Sequence, residues 1–229
     1  MHRTTEPPIL YFGTPVVLIS TVNEDGSYNI GPMSSAFWLG WRCVLGLSAV
    51  SKSPENLWRT GECVLNLPSE DLAPEVDRLA RKTASDPVPP AKEQRGYTTE
   101  RDKFGIAGLS PVESETVRAP RIGECPVQME AVVEATHYLA ADDPVLGGRH
   151  AVIEVRIQRV HADEGILMDG EENRIDPDRW RPLIMSFQHF YGLREGKLRD
   201  SRLGQIPEHL YRTRDVDRAR LAGAPAGAP

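Results

Sequence analysis

The segment Ser51-Lys52-Ser53-Pro54-Glu55-Asn56 sets two hydroxyls and an ammonium group where a helix should begin. Ser53 is suited to the N-cap and Pro54 to the first helical position, with Leu57 and Trp58 continuing the helix and Gly61 ending it. Unpaired N–H groups and the helix dipole favour an anion at such an end, so the segment predicts a phosphate site. Earlier in the chain, Ser34-Ser35-Ala36 closes an apolar stretch, and small side chains there would let a ligand approach the backbone closely. Further along, Lys103 and the histidines His150 and His189 are polar groups that either serve a site or remain a solvated charge and hydrogen-bonded strand residues.

The elements that must position these groups follow from periodicity. Val16 to Ile19 is a β-branched apolar run, and Asn23-Glu24-Asp25-Gly26 is a turn in which Gly26 can take positive φ. A hairpin with a return strand over Tyr28 to Met33 is therefore predicted, followed by a third strand over Val44 to Val50. Leu72 to Lys82 reads as an amphipathic helix. The breaker-rich stretch Ser85 to Gly96 reads as a surface excursion, a lid or a partner-contacting arm. Arg101 to Ala107 reads as a helical turn, Val127 to Tyr138 and Arg149 to His161 as long strands, and Ile166 to Met168 as a short one. The fold class expected is mainly β with peripheral helices, in one domain over residues 1–200. Residues 201–229 form a C-terminal extension, and Leu221 to Pro229 is small, uncharged and expected to be disordered.

Composition narrows the function. The 229 residues carry 27 basic and 33 acidic side chains, a formal charge of −6, with no Lys/Arg-rich run, which argues against nucleic acid as a partner. No apolar run approaches the ~20 residues of a membrane span, and Met1 to Pro8 lacks the apolar core of a signal peptide, so a cytoplasmic location is expected. Cys43, Cys63 and Cys125 are isolated and odd in number, which disfavours disulfides and structural zinc. The histidines have no metal-ligand spacing, and no metal is expected. There is no GxSxG, HExxH, GxGxxG or GxxxxGK[ST] motif, so hydrolase, zincin, Rossmann and P-loop chemistry lack their core elements.

Pro15 to Pro68 resembles the first half of the flavin reductase-like domain family. The likeness continues through Asp102-Lys103-Phe104, Gly108-Leu109-Ser110-Pro111 and Ala119-Pro120-Arg121-Ile122, and covers roughly residues 10–192. It implies an FMN-binding split β-barrel, usually homodimeric, with FMN as cofactor, FAD as a variant and NAD(P)H as co-substrate. By the same resemblance, Asn29, Ser34, Ser35, Ala36, Phe37 and Trp38 meet the isoalloxazine and ribityl chain, while Ser51, Ser53 and Asn56 hold the phosphate end. It further implies Lys103 beside the cofactor, His150 as the catalytic contact to flavin and nicotinamide, and Tyr191 over the ring. Two positions depart from the family pattern. Gly148-Arg149-His150 lacks the aspartate usual beside the histidine, and Gly40-Trp41-Arg42 stands where relatives carry a proline pair, leaving Arg42 to contact a cofactor phosphate or face water.

Three functions are compatible with this resemblance. One is hydride transfer from NAD(P)H to flavin N5, with reduced flavin supplied to a separate monooxygenase. The second is an FMN-dependent oxygenase or oxidase acting on a small organic substrate. The third is a non-catalytic flavin-binding electron carrier.

Overall fold

Met33 and Ala36 belong to the two edges of one seven-stranded sheet, and only Ser34 and Ser35 separate them. The computed structural model describes residues 1–222. Its strands are β1 Phe12–Pro15, β2 Val17–Val22, β3 Tyr28–Met33, β4 Ala36–Leu39, β5 Arg42–Ser48, β6 Glu62–Leu67, β7 Lys82–Thr83, β8 Thr98–Thr99, β9 Pro111–Val112, β10 Arg121–Ile122, β11 Val127–Tyr138, β12 His150–Ala162, β13 Ile184–Ser186 and β14 His189–Tyr191. Its helices are α1 Lys52–Thr60, α2 Ala73–Arg78, α3 Pro90–Glu93, α4 Lys103–Ala107 and α5 Arg214–Ala222. The main sheet runs β3-β2-β6-β11-β12-β5-β4, antiparallel throughout. A flat sheet of that width would hold its edges about 29 Å apart. A two-residue link can span no more than about 11 Å, so the sheet has to roll up and bring β3 beside β4.

Rolling explains why the run Val16 to Ile19, which leads into β2, is apolar on both faces. Val17 and Ile19 point into a core shared with Leu45, Leu57, Leu65, Ile153 and Val155. Val16 and Leu18 point the other way, onto Ile30, Val76, Leu79, Phe104 and Ile122, where α2 and α4 cover the sheet. A strand buried on both sides reads as a continuous apolar run, as Val16 to Ile19 does.

Several elements differ from expectation. Helix α1 starts at Lys52, with Ser51 as its N-cap residue, so Ser53 and Pro54 lie buried within the first turn. Gly61 ends it at φ +73°, as expected. The predicted helix over Leu72 to Lys82 stops at Arg78, because Arg81 turns at φ +56° and Lys82–Thr83 pairs in parallel with β8. Ile166 is part of a 3-10 turn over Glu164–Ile166 in place of a strand. Arg42 does not simply face water: it donates to Asp215 on α5 at 2.9 Å and to Glu154 at 2.5 Å. Asp215 and Ala219 are buried, so α5 docks against the sheet at β12. Of the tail expected to be disordered, Leu221 and Ala222 end α5, and 223–229 lie outside the described residues. All three cysteines are buried and free, including Cys125, which the sequence leaves unplaced.

One buried carboxylate ties β11 and β12 to the loop over residues 114–117. Glu130 accepts from the Glu115 amide at 2.9 Å and the Thr116 amide at 2.6 Å, and lies 2.8 Å from His161 Nε2. Burial alone would raise its pKa, but the hydrogen bonds from His161, Thr116 and Glu115 outweigh burial and hold it at about 2. A depressed carboxylate stabilises the fold above its unfolded pKa, and that contribution is lost as pH falls toward the folded value. Urea midpoints of the wild type should therefore fall between pH 4.5 and 2, losing about 3 kcal/mol from this group. Glu130→Gln should be less stable than wild type at pH 7 and flatter across that window. Parallel pH profiles for the two proteins would contradict the assignment.

Candidate functional site

A cavity of about 720 Å³ opens where β3, β5 and the start of α1 meet the segment between α2 and α4. Its inner wall rests on a close contact. Gly31 on β3 faces Ser53 so tightly that a Cβ at position 31 would lie 2.2 Å from Ser53 Oγ. Only glycine lets the first turn of α1 pack this near the strand. On the same wall, Gly46 leaves room for Ser35, whose Cβ would sit 3.3 Å from a Cβ at position 46.

Asn29 lines this wall and is fully buried. Its amide nitrogen donates to Thr21 Oγ1 and Ser53 Oγ, each at 3.2 Å, while its Oδ1 has no partner. An unpaired buried carbonyl costs about 1–3 kcal/mol unless a donor meets it. Asn56 stands one layer behind, donating to Thr21 Oγ1 at 3.0 Å and Asn23 Oδ1 at 2.9 Å. The hydroxyl of Ser51 makes no cap bond, so it stays available at the helix end.

Lys103 enters from the opposite side. Asp102 caps α4 by accepting from the Gly105 amide at 2.8 Å, which sets Lys103 at the first helical position. The ammonium is buried and donates to the Ile30 carbonyl at 2.8 Å. Burial, reinforced by nearby Lys92, pulls its pKa down to about 7. Around it, Lys52, Arg81, Lys82, Lys92 and Arg95 also line the cavity, and no Asp or Glu does. An acidic chain has thus gathered six basic side chains on one concave surface, of which Lys52 is paired with Glu55 at 2.6 Å, and the resulting field draws an anion.

The cavity brings together Asn29, Ser34, Ser35, Ser51, Ser53 and Lys103 from the residues expected at the site. Ala36 and Trp38 do not line the cavity and pack with the core of Val17 and Ile19, with Trp38 Nε1 buried and unpaired, and Phe37 is exposed. His150 is exposed at the start of β12, paired in register with cavity-lining Ser48. Tyr191 is also exposed, while its neighbour Phe190 and the preceding Gln188 line the cavity. Adjacent residues of a strand face opposite ways, which accounts for that exchange. Arg81, Lys82, Lys92, Arg95 and Tyr97 were missed because no local motif marks them: Arg81 and Lys82 close the predicted amphipathic helix, and Lys92 and Arg95 lie in the breaker-rich stretch that reads as a surface excursion. Among the described residues, no three His, Cys, Asp or Glu side chains gather as a metal site. No helix there is long and apolar enough to cross a membrane.

A family model described as flavin reductase like domain matches residues 9–194. The uncharacterized protein YdfE of Bacillus subtilis (strain 168) is 42% identical over 191 residues, covering 83% of this chain and 89% of its own. Flavoredoxin of Desulfovibrio vulgaris (Miyazaki F) matches with a TM-score of 0.70 at 20% identity, over 89% of this chain and 100% of its own. Nitrilotriacetate monooxygenase component B from Bacillus cereus matches with a TM-score of 0.64 at 20% identity, over 81% and 87%. These two likenesses speak for the fold, whereas the family match spans most of the sequence that builds the cavity. On that match, the chain belongs to the flavin reductase-like domain family.

Proposed function

We propose that this chain is an FMN-binding oxidoreductase that passes hydride from NAD(P)H to flavin N5, working as a homodimer in the cytoplasm. The observation that carries the reading is the cavity wall, with six cations, no carboxylate and a buried Asn29 Oδ1 awaiting a donor. These groups fit a flavin mononucleotide, which brings a dianionic phosphate at one end and N–H and hydroxyl donors along its length. Ser51, Ser53 and Lys103 would hold the phosphate end, with Asn29, Ser34 and Ser35 along the ribityl chain and ring. Asn56 steadies Asn29 through their shared partner Thr21. Ala36, Phe37, Trp38, His150 and Tyr191 are assigned to the ring side on family resemblance, with His150 and Tyr191 adjoining the rim residues Ser48 and Phe190.

When bound, FMN supplies the hydride-accepting chemistry. The residues of the chain bind it, fix its orientation and keep water from its buried edge, and no side chain has to act as acid or base for hydride passage. The likeness to a monooxygenase component B supports delivery of reduced flavin to a separate monooxygenase. Exposed Leu10, Tyr11, Phe12, Phe187, Tyr191 and Leu193, around the small sheet β1-β13-β14, support pairing with a second copy. A second reading, an oxygenase or oxidase that retains its flavin for a small organic substrate, draws on the excursion that walls the cavity.

The test is to purify the protein, identify its flavin and follow the absorbance anaerobically with NADH and NADPH. Bleaching by either nucleotide is expected. Reduction by dithionite alone would favour the oxygenase or an electron carrier, and failure to bind FMN at micromolar concentration would end the flavin reading. Ser51→Ala combined with Ser53→Ala should weaken FMN binding by about 1–3 kcal/mol, measured by fluorescence quenching. Unchanged affinity would move the phosphate elsewhere.

Lys103 predicts a pH dependence. Only its protonated form attracts the phosphate, and with a free-state pKa of about 7 binding must recruit a proton above that pH. FMN affinity should therefore fall as pH rises from 7 to 9. Lys103→Met should bind about 1.5–3 kcal/mol more weakly at pH 6.5 and lose that slope. A wild-type affinity that is flat over this range would contradict the role.

A further inference from the structure

The β13–β14 hairpin reaches the cavity from a small sheet of its own. It pairs with β1 and not with the main sheet, and β14 is an edge strand of three residues that pairs with β13 alone among the described strands. Even so, Met185, Gln188 and Phe190 of this hairpin line the cavity, and Met185 and Phe190 also pack on the core beneath α2 and α4. The turn that joins the two strands works against this arrangement. Ser186 pairs with His189, and between them Phe187 and Gln188 both take positive φ, at +45° and +66°. Two-residue turns of that kind favour Asn and Gly, because a larger side chain crowds its own backbone in the left-handed region. Such backbone persists only where its surroundings over-determine it.

The surroundings do so at both ends. At the turn, the Phe187 amide donates to the Tyr11 carbonyl at 2.9 Å, and its ring meets Phe12 edge-on at 5.0 Å. At the open end, Arg181 stands before β13 and Gly192 directly follows β14. The Arg181 guanidinium donates to the Glu70 carboxylate at 3.1 Å, to the Arg194 carbonyl at 3.1 Å and to the Leu193 carbonyl. The main chain repeats the link, since the Glu70 amide donates to the Arg181 carbonyl at 2.9 Å. The Glu70 carboxylate also lies against Gly192, where a Cβ would sit 1.5 Å from Oε2 and 2.6 Å from Cδ. Only glycine leaves that space, so one carboxylate and one guanidinium grip the chain on both sides of the hairpin. A single exposed ion pair would contribute little. A planar guanidinium shared between a carboxylate and two carbonyls fixes geometry as well as charge.

We infer that Glu70 and Arg181 are positioning residues, whose clasp holds the β13–β14 hairpin against the cavity, keeps Phe190 and Gln188 on the bound ligand and sets how fast that ligand leaves. For the identity of the ligand the inference rests on the flavin reading; the clasp itself does not. Neither Glu70 nor Arg181 lines the cavity, so both act through the strands that they hold.

Hydrogen–deuterium exchange of the ligand-free protein and stopped-flow release of FMN and riboflavin test it. The variants are Glu70→Gln, Gly192→Ala, which pushes the same carboxylate aside, and the two combined. Amides of residues 184–194 should exchange about tenfold faster in each variant, while those of β2, β6 and β11 keep their wild-type protection. Both flavins should leave about tenfold faster and by the same factor, because the hairpin carries none of the groups assigned to the phosphate. The double variant should match the single ones, since a carboxylate already displaced has no grip left to lose. Arg174→Gln, which breaks the exposed pair with Glu208 at 2.8 Å, is the control and should change none of these readings. Faster exchange throughout the main sheet, or additive losses in the double variant, would reduce the pair to a general contribution to stability and overturn the clasp. Unchanged flavin release beside a loosened hairpin would overturn its hold on the ligand, as would a change in FMN release alone. Should neither flavin bind the wild type, the flavin reading falls, and exchange and additivity in the ligand-free protein decide the clasp alone.

Discussion

The contact between Gly31 and Ser53 is the constraint on which the site depends. The first turn of α1 lies against β3 with room for a hydrogen and nothing larger, since a Cβ at position 31 would meet Ser53 Oγ at 2.2 Å. That approach lets Ser53 receive a hydrogen bond from Asn29, and Asn29 share Thr21 with Asn56. Helix end, strand and buried amide pair are thereby locked in one arrangement. Ser51, Lys52 and Ser53 at the start of α1 line a cavity shared with Gly31, Pro32 and Met33 of β3, and the link Ser34-Ser35 lines it too.

Electrostatics completes what packing begins. The chain carries a net −6, yet the cavity wall holds only cations among its charged groups. Their cost shows at Lys103, whose burial and charged neighbour bring it near neutrality before a ligand arrives. Sites that bind anions are often assembled at such a cost to the empty fold, with the ligand supplying the missing charge.

Much of the fold could be read from the sequence because it is written in short-range signals. The Asn23 to Gly26 turn gave the hairpin, with Gly26 at φ +84°, and the long apolar alternations gave β11 and β12 nearly to the residue. Part of the inner wall was legible for the same reason, since Ser51 and Ser53 lie at a recognisable helix start and Ser34 and Ser35 at the end of a strand, whereas Asn29 came only from the family resemblance. The outer wall was not. Arg81, Lys92 and Arg95 converge only because β7 pairs with β8 across the excursion, a contact that no periodicity announces. Tyr191 and Phe190 show the finer limit, since a one-residue choice on a short strand decides which ring faces the cavity. Arg42 failed for a third reason: its partner Asp215 is 173 residues away.

The central claim is that this cavity grips a flavin by its anionic end. Parallel fluorescence-quenching titrations with FMN and riboflavin test it most directly, because the two differ only in the phosphate. FMN should bind at least tenfold tighter, about 1.4 kcal/mol or more, with the difference shrinking as salt is raised. Equal affinity for the two flavins, independent of salt, would contradict the account.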